Sequence, residues 1–263
     1  MLSPRLIPVL LVRNKGLVKT VRFADEKYVG DPINAVRIFN EKEADEIMVL
    51  DIDATVEKRE PDFKMIEHLA QECRMPFCYG GGIKTKEQAL RILSLGVEKI
   101  AFSSAALDNP GLLRDVAEQV GNQSVVVVLD VKARKTLLGR KYECFVHNGK
   151  KNTKISPAEF AAKAAEYGVG ELVINSIDND GMMKGYDLKL INEVKSKCSI
   201  PVTAVGGAGT LEHVASLIAQ EGLIGAAAGS MFVFKGKYRA VLINYPSNDE
   251  KKHLLTGLTG FTG

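Results

Sequence analysis

Along the chain, short runs of consecutive apolar residues alternate with longer stretches whose apolar positions recur every three to four residues. Runs of the first kind predict strands buried on both faces, and the second kind predicts amphipathic helices; together they make strand-helix units around a parallel sheet. Strands are predicted over residues 6–12, 47–51, 77–79, 99–103, 125–130, 172–175, 202–205 and 224–228. Helices are predicted over 32–42, 62–72, 86–95, 110–119, 157–167, 188–197 and 211–219. Asp31-Pro32, Asn109-Pro110 and Ser156-Pro157 each set a capping residue before a proline suited to the first helical turn. Eight strands with interleaved helices give the fold class α/β, a (βα)8 TIM barrel.

The pattern repeats. EIMVLDID at 46–53 aligns with ELVINSID at 171–178, and Pro76, Gly81, Gly82, Thr85 and Glu87 align with Pro201, Gly206, Gly207, Thr210 and Glu212, all at an offset of 125. Such a period far exceeds the roughly 20 to 50 residues of a solenoid repeat. It fits two fused half-barrels, about 1–121 and 122–246, forming a single barrel over 1–246. Two segments depart from it. Residues 131–154 carry eight basic side chains around a glycine-broken centre and are expected as a loop or hairpin over the barrel mouth. Residues 247–263 lack a periodic apolar face and are expected as a mobile C-terminal tail.

Composition adds limits. With 263 residues and 46% hydrophobic content, the chain can bury one large core, and a net charge of +3 without an arginine-rich run argues against nucleic acid as a partner. The apolar stretch at 6–12 is far shorter than the roughly 20 residues of a membrane span, so a cytoplasmic protein with no membrane partner is expected. Cys73, Cys78, Cys144 and Cys198 show no paired spacing, and the four histidines fall on helices, the basic loop and the tail. Neither a metal nor a cofactor is indicated.

Loops after the strands form the active face of such a barrel. Gly80-Gly81-Gly82, Gly206-Gly207-Ala208-Gly209 and Gly229-Ser230 follow strands three, seven and eight. Glycines there let backbone amides approach an anion, although a tight strand-helix turn uses the same residues. The two-fold placement favours a ligand with a phosphate at each end, with Ser103 and Ser104 adding hydroxyls to one site and Ser230 to the other. Asp130 ends the run VVVVLD, where a carboxylate is either catalytic or ligand-binding, or else paired with Lys132. Symmetry sets Leu11 opposite it, and leucine moves no proton. Asp51, Asp53, Asn175, Asp180 and Gly181 ring the same face; Asp178 reads as a loop cap, and Lys19 could reach an anion from the first loop. At the opposite end, Arg5, Glu46, Lys99 and Glu171 precede or begin strands one, two, four and six, and their charges balance into a potential floor ring whose default meaning is stability.

These residues, with the blocks RLIPVL, GDPINAVRIFNEKEADEIMVLDIDATVEKR, PFCYGGGIKT, SVVVVLD, GKKNT, GELVINSIDNDGMMKGYD and PVTAVGGAGTLEH, resemble the cyclase subunit of imidazole glycerol phosphate synthase. The resemblance implies a bis-phosphorylated ligand at the mouth, held by Gly82, Ser103 and Ser104 at one end and by Asp180, Gly181, Gly207 and Ser230 at the other. It implies a glutaminase subunit docked at the strand N-terminal face, with ammonia entering through a gate at Arg5, Glu46, Lys99 and Glu171. The family's pair of catalytic aspartates maps onto Leu11 and Asp130, so one is missing, as is the asparagine usual at Ser103. The phrases IPVLLVRNKGLVKTVRF, CYGGGIKT and AAAGSMFVFKG resemble more closely a divergent branch associated with glycosyl amidation in surface-polysaccharide biosynthesis. There the barrel passes ammonia to a nucleotide-sugar pathway partner. A working cyclase relying on Asp130, a sugar-phosphate isomerase and a binding module remain the alternatives.

Overall fold

The computed structural model describes residues 4–136 and 139–259. Eight parallel strands close on themselves: Arg5–Arg13 (β1), Ile47–Asp51 (β2), Phe77–Gly80 (β3), Lys99–Phe102 (β4), Val125–Thr136 (β5), Glu171–Ser176 (β6), Val202–Val205 (β7) and Gly225–Ala228 (β8). Each pairs with its sequence neighbours, and β8 pairs with β1 to complete the barrel. The strand-helix periodicity therefore holds in the fold.

Strand parity sorts the side chains. Leu6, Leu10 and Val12 of β1 pack outward against the helix layer with Phe39, Ile66, Leu69 and Phe77, whereas Ile7 and Val9 point into the lumen with Met48, Cys78, Ala101, Val126, Val128, Val173 and Ala227. Both faces are dry, which is why the strands read as unbroken apolar runs. Full burial of a side chain such as Phe39 contributes about 1.5 to 3 kcal/mol.

Asp31 and Ser156 cap their helices as anticipated, accepting from the amides of Asn34 and Glu159. Asn109 does not. Its side chain makes no capping bond; its backbone N–H donates to the carbonyl of Ala105 and closes the short helix Ser104–Asp108.

Two hairpins stand on the mouth. In the basic segment, residues 131–136 continue β5 and pair antiparallel with Gly139–Val146, so the described part of it is a hairpin. The other, Gly16–Val21 with Ala24–Gly30, was not anticipated beyond a first loop. Asn14 and Lys15, at positive φ of 48° and 63°, make the tight two-residue turn from β1 into Gly16–Val21, and Arg22 and Phe23, at 53° and 63°, make the turn of the hairpin itself. The expected mobile tail is helical over Asn248–Thr259, with its last residues, 260–263, outside the described segments. A capping box explains the difference: Ser247 Oγ accepts from the Glu250 amide, and Glu250 accepts from the Ser247 amide at 2.8 Å. Lys251 then reaches Asp45 at 2.7 Å and holds the helix against the barrel.

Candidate active site

The lumen is closed below and open above. At the floor, Arg5 bonds Glu46 and reaches Glu171 at 2.8 Å, while Lys99 Nζ lies 2.8 Å from Glu46 and 3.0 Å from Glu171. Thr203 Oγ1 donates to Glu171 at 2.6 Å, a closeness that Gly225 on the adjacent strand permits, since a Cβ there would stand 1.9 Å from that hydroxyl. The two cations and two carboxylates thus alternate in one ring across the strand-entry end. Burial pushes the Glu171 carboxyl up, but Lys99 and Arg5 outweigh it and hold it below the usual range. Burial raises Glu46, with the neighbouring Glu171 charge adding to the effect. Directly above sits the buried Cys78 thiol, raised by burial and the two glutamates.

At the other end a pocket opens between the two hairpins. Its walls include Leu11, Lys19, Leu50, Asp51, Gly81, Gly82, Ser103, Ser104, Asp130, Asn175, Asp180, Gly181, Gly206, Gly207 and Gly229, and it descends to Val9, Met48, Ala101, Val128 and Val173 of the lumen. Nearly every mouth residue singled out from sequence therefore converges on it. Ser230 and Asp53 do not: Ser230 is buried as the first residue of the short helix Ser230–Val233, behind Gly229, and Asp53 is turned to Arg13. Arg13, Thr20, Phe23, Thr55, His147 and Asn148 line the pocket without having been picked out. Arg13 ends β1, and Thr20 and Phe23 enter through the first hairpin; His147 and Asn148 adopt φ of 55° and 54° in the turn that follows the second.

Register exposes an asymmetry. Leu11 pairs with Leu50 in the first half as Asp130 pairs with Asn175 in the second. All four line the pocket, so one side of the mouth is aliphatic and the other polar. Asn175 Nδ2 donates to Asp130 Oδ1 at 2.9 Å. Burial pushes the Asp130 carboxyl up to about 7, opposed by this hydrogen bond and helped by the charge of Asp180. No Asp130–Lys132 pair forms among the described residues; Lys132 faces solvent opposite Glu143.

The other polar groups are already engaged. Asp180 accepts from Thr20 Oγ1 at 2.7 Å and from the Phe23 amide at 3.2 Å, which latches the first hairpin over the mouth. Lys19 bonds the carbonyl of Val9, and burial lowers its ammonium to about 8 against the pull of Asp180. Asp51 accepts from the amides of Asp53 and Ala54 and faces Arg59 at 3.4 Å, so both of its oxygens are committed to its own loop. Asp53 forms a two-pronged pair with Arg13, and Asp178 accepts from the amide of Ala133, consistent with a loop-capping role. Gly207, at φ +106°, lies where a Cβ would come within 2.1 Å of the Gly185 carbonyl, so this turn requires glycine whatever it binds.

Among the described residues, no group of three or more His, Cys, Asp and Glu could hold a metal, and no helix is long and apolar enough to cross a membrane.

The Asp130 environment has a consequence for stability. A carboxyl raised from 3.8 to about 7 on folding favours the protonated folded form, so its contribution is best below about pH 4 and worsens as pH rises through about 7. Asp130→Asn is therefore expected to raise the melting temperature progressively between pH 5 and pH 8 and to level off above, as differential scanning calorimetry would show. A benefit that shrinks with rising pH would contradict the buried environment described.

Residues 5–239 match the family model described as histidine biosynthesis protein. A protein of Vibrio vulnificus (strain YJ016), provisionally named imidazole glycerol phosphate synthase subunit hisF3, is 59% identical over 255 residues, 97% of each chain. A Leptospira interrogans protein with the provisional name of subunit HisF is 57% identical over 97% of this chain and 99% of its own. The provisionally named hisF2 subunit of Pseudomonas aeruginosa PAO1 is 50% identical over 94% of this chain and 97% of its own. With its barrel closed and these matches spanning nearly its whole length, the chain belongs to the histidine biosynthesis protein family, among its HisF-like members.

Proposed function

We propose that this barrel is the ammonia-receiving subunit of a glutamine amidotransferase complex, docked by its floor to a glutaminase. The observation that carries the reading is the floor ring of Arg5, Glu46, Lys99 and Glu171 beneath an apolar lumen. A lumen lined by Ile7, Val9, Met48, Ala101, Val126 and Val173 offers few partners to an ion, which favours neutral NH3 over ammonium along its length.

At the mouth, the glycine turns at Gly81-Gly82 and Gly206-Gly207, with Ser103, Ser104, Gly181 and Gly229, are suited to a phosphorylated ligand. Imidazole ring closure, however, calls for proton transfer on both sides of the reacting centre, and Leu11 removes one side. We therefore assign the barrel to onward delivery of ammonia for amidation of a nucleotide-linked sugar in surface-polysaccharide biosynthesis. The second reading is a cyclase of histidine biosynthesis in which Asp130 acts alone. It draws support from the relatives' names and from a carboxyl near 7, a value suited to a general acid or base.

An assay of imidazole glycerol phosphate formation with ammonium salt separates the two. The delivery subunit gives no product above background, and Asp130→Asn leaves that unchanged. Product that disappears in Asp130→Asn would establish the cyclase instead.

A further inference from the structure

The head of the lumen has a single polar side. Asn175 donates from Nδ2 to Asp130, while its Oδ1 is buried without a partner among the described residues, on the Gly206 side, where a Cβ added to that glycine would lie 3.2 Å away. The amide thus spans from β5 to the turn after β7. Turning it over would set two oxygens 2.9 Å apart, so the donor stays on Asp130 even though the fold leaves a carbonyl unsatisfied.

Asp130 Oδ2 is left over. It accepts no hydrogen bond among the described residues and, unlike Asn175 Oδ1, is not sealed from the pocket. No side chain among the described residues donates to it. Lys19 is bound to the Val9 carbonyl, Asp180 to the first hairpin, Cys144 is a buried thiol, and His147 lies in the turn after the second hairpin. Opposite stand Leu11 and Leu50, and below lie Val128, Val173 and Val9. A small molecule with N–H donors rising through that column meets at Oδ2 a carboxylate oxygen that no described residue occupies.

We propose that Asn175 is a positioning residue: by holding Oδ1 it turns Oδ2 of Asp130 to the lumen, where that oxygen receives ammonia. This rests on the ammonia-handling reading above. It predicts that ammonia is held on the β5–β6 side, leaving the Leu11–Leu50 side for an apolar face of the acceptor.

The test uses the full chain alone, with carboxyl-13C aspartate and the Asp130 resonance assigned by its loss in Asp130→Asn. At pH 8, ammonium chloride should shift that resonance saturably while sodium chloride of equal ionic strength does not. In Asn175→Leu, which copies Leu50, the ammonium response should vanish and the Asp130 titration midpoint should rise by about one pH unit or more, the size of a charge-assisted hydrogen bond. Asn175→Thr keeps a donor and should restore both. An equal response to sodium, or an Asn175→Leu protein that merely melts earlier with both readouts unchanged, would overturn the proposal. A threonine variant that behaves like leucine would also count against it. If Asn175→Leu does not fold, the ammonium-sodium comparison and the threonine variant still decide. Because no glutaminase enters the experiment, its failure is distinguishable from failure of the amidotransferase reading.

Discussion

Glu171→Leu is expected to lower the unfolding free energy by about 3 kcal/mol or more and to abolish the response to a glutaminase. Removing one member of a buried ion pair typically costs about 3 to 5 kcal/mol, because its partners keep their charge in a low-dielectric site. Here Arg5, Lys99 and the Thr203 hydroxyl all lose an acceptor at once. Arg5 is about a third exposed, so water relieves part of its loss, which places the expectation at the lower end. Glu171→Leu combined with Lys99→Leu leaves one cation against one carboxylate and should recover part of the stability, a coupling that a double-mutant cycle in urea would measure. Additive losses would mean that the ring is not an energetic unit.

Leu11→Asp is expected to raise ammonium-driven ring closure on the order of 100-fold or more, within the usual range for a positioned acid or base. Its side chain lines the same pocket as Asp130, and its strand pairing places it where symmetry sets a counterpart of that carboxylate. The variant should also be less stable than the parent at pH 8 than at pH 5. A second carboxyl in view of the first drives both toward protonation, and Asp130 already sits near 7. A folded Leu11→Asp protein that binds a bis-phosphorylated ligand yet closes no ring would show that the mouth differs from a cyclase site by more than this one residue.

Much of this was legible in the sequence because barrel strands alternate strictly. Arg5, Ile7, Val9 and Leu11 share one face of β1, with Arg5 at its start and Leu11 near its end, so position along the strand and the repeat pointed to a floor charge and a mouth residue. The first hairpin was hidden: Gly16–Val21 pairs antiparallel with β1 and carries only a short apolar run before an exposed return strand. Its tie to Asp180 is a long-range contact between residues 160 positions apart, which no local pattern encodes. The C-terminal helix was missed for the opposite reason. Its apolar face is weak, and its start rests on the Ser247–Glu250 capping box, a signal that apolar periodicity does not register. The contrast between Asp130, still open to the pocket, and Asp51, tied to its own loop, likewise needed the hydrogen-bond partners, since both read as carboxylates at strand ends.

The most direct measurement is hydrogen exchange of the barrel mixed with its glutaminase partner, with glutamate release followed in the same mixture. An ammonia-receiving barrel should stimulate glutamine hydrolysis and be protected at the strand-entry residues around Arg5, Glu46, Lys99 and Glu171, leaving the mouth hairpins exchanging as before. Protection confined to the mouth, or no complex and no stimulation, would contradict entry of ammonia through the floor.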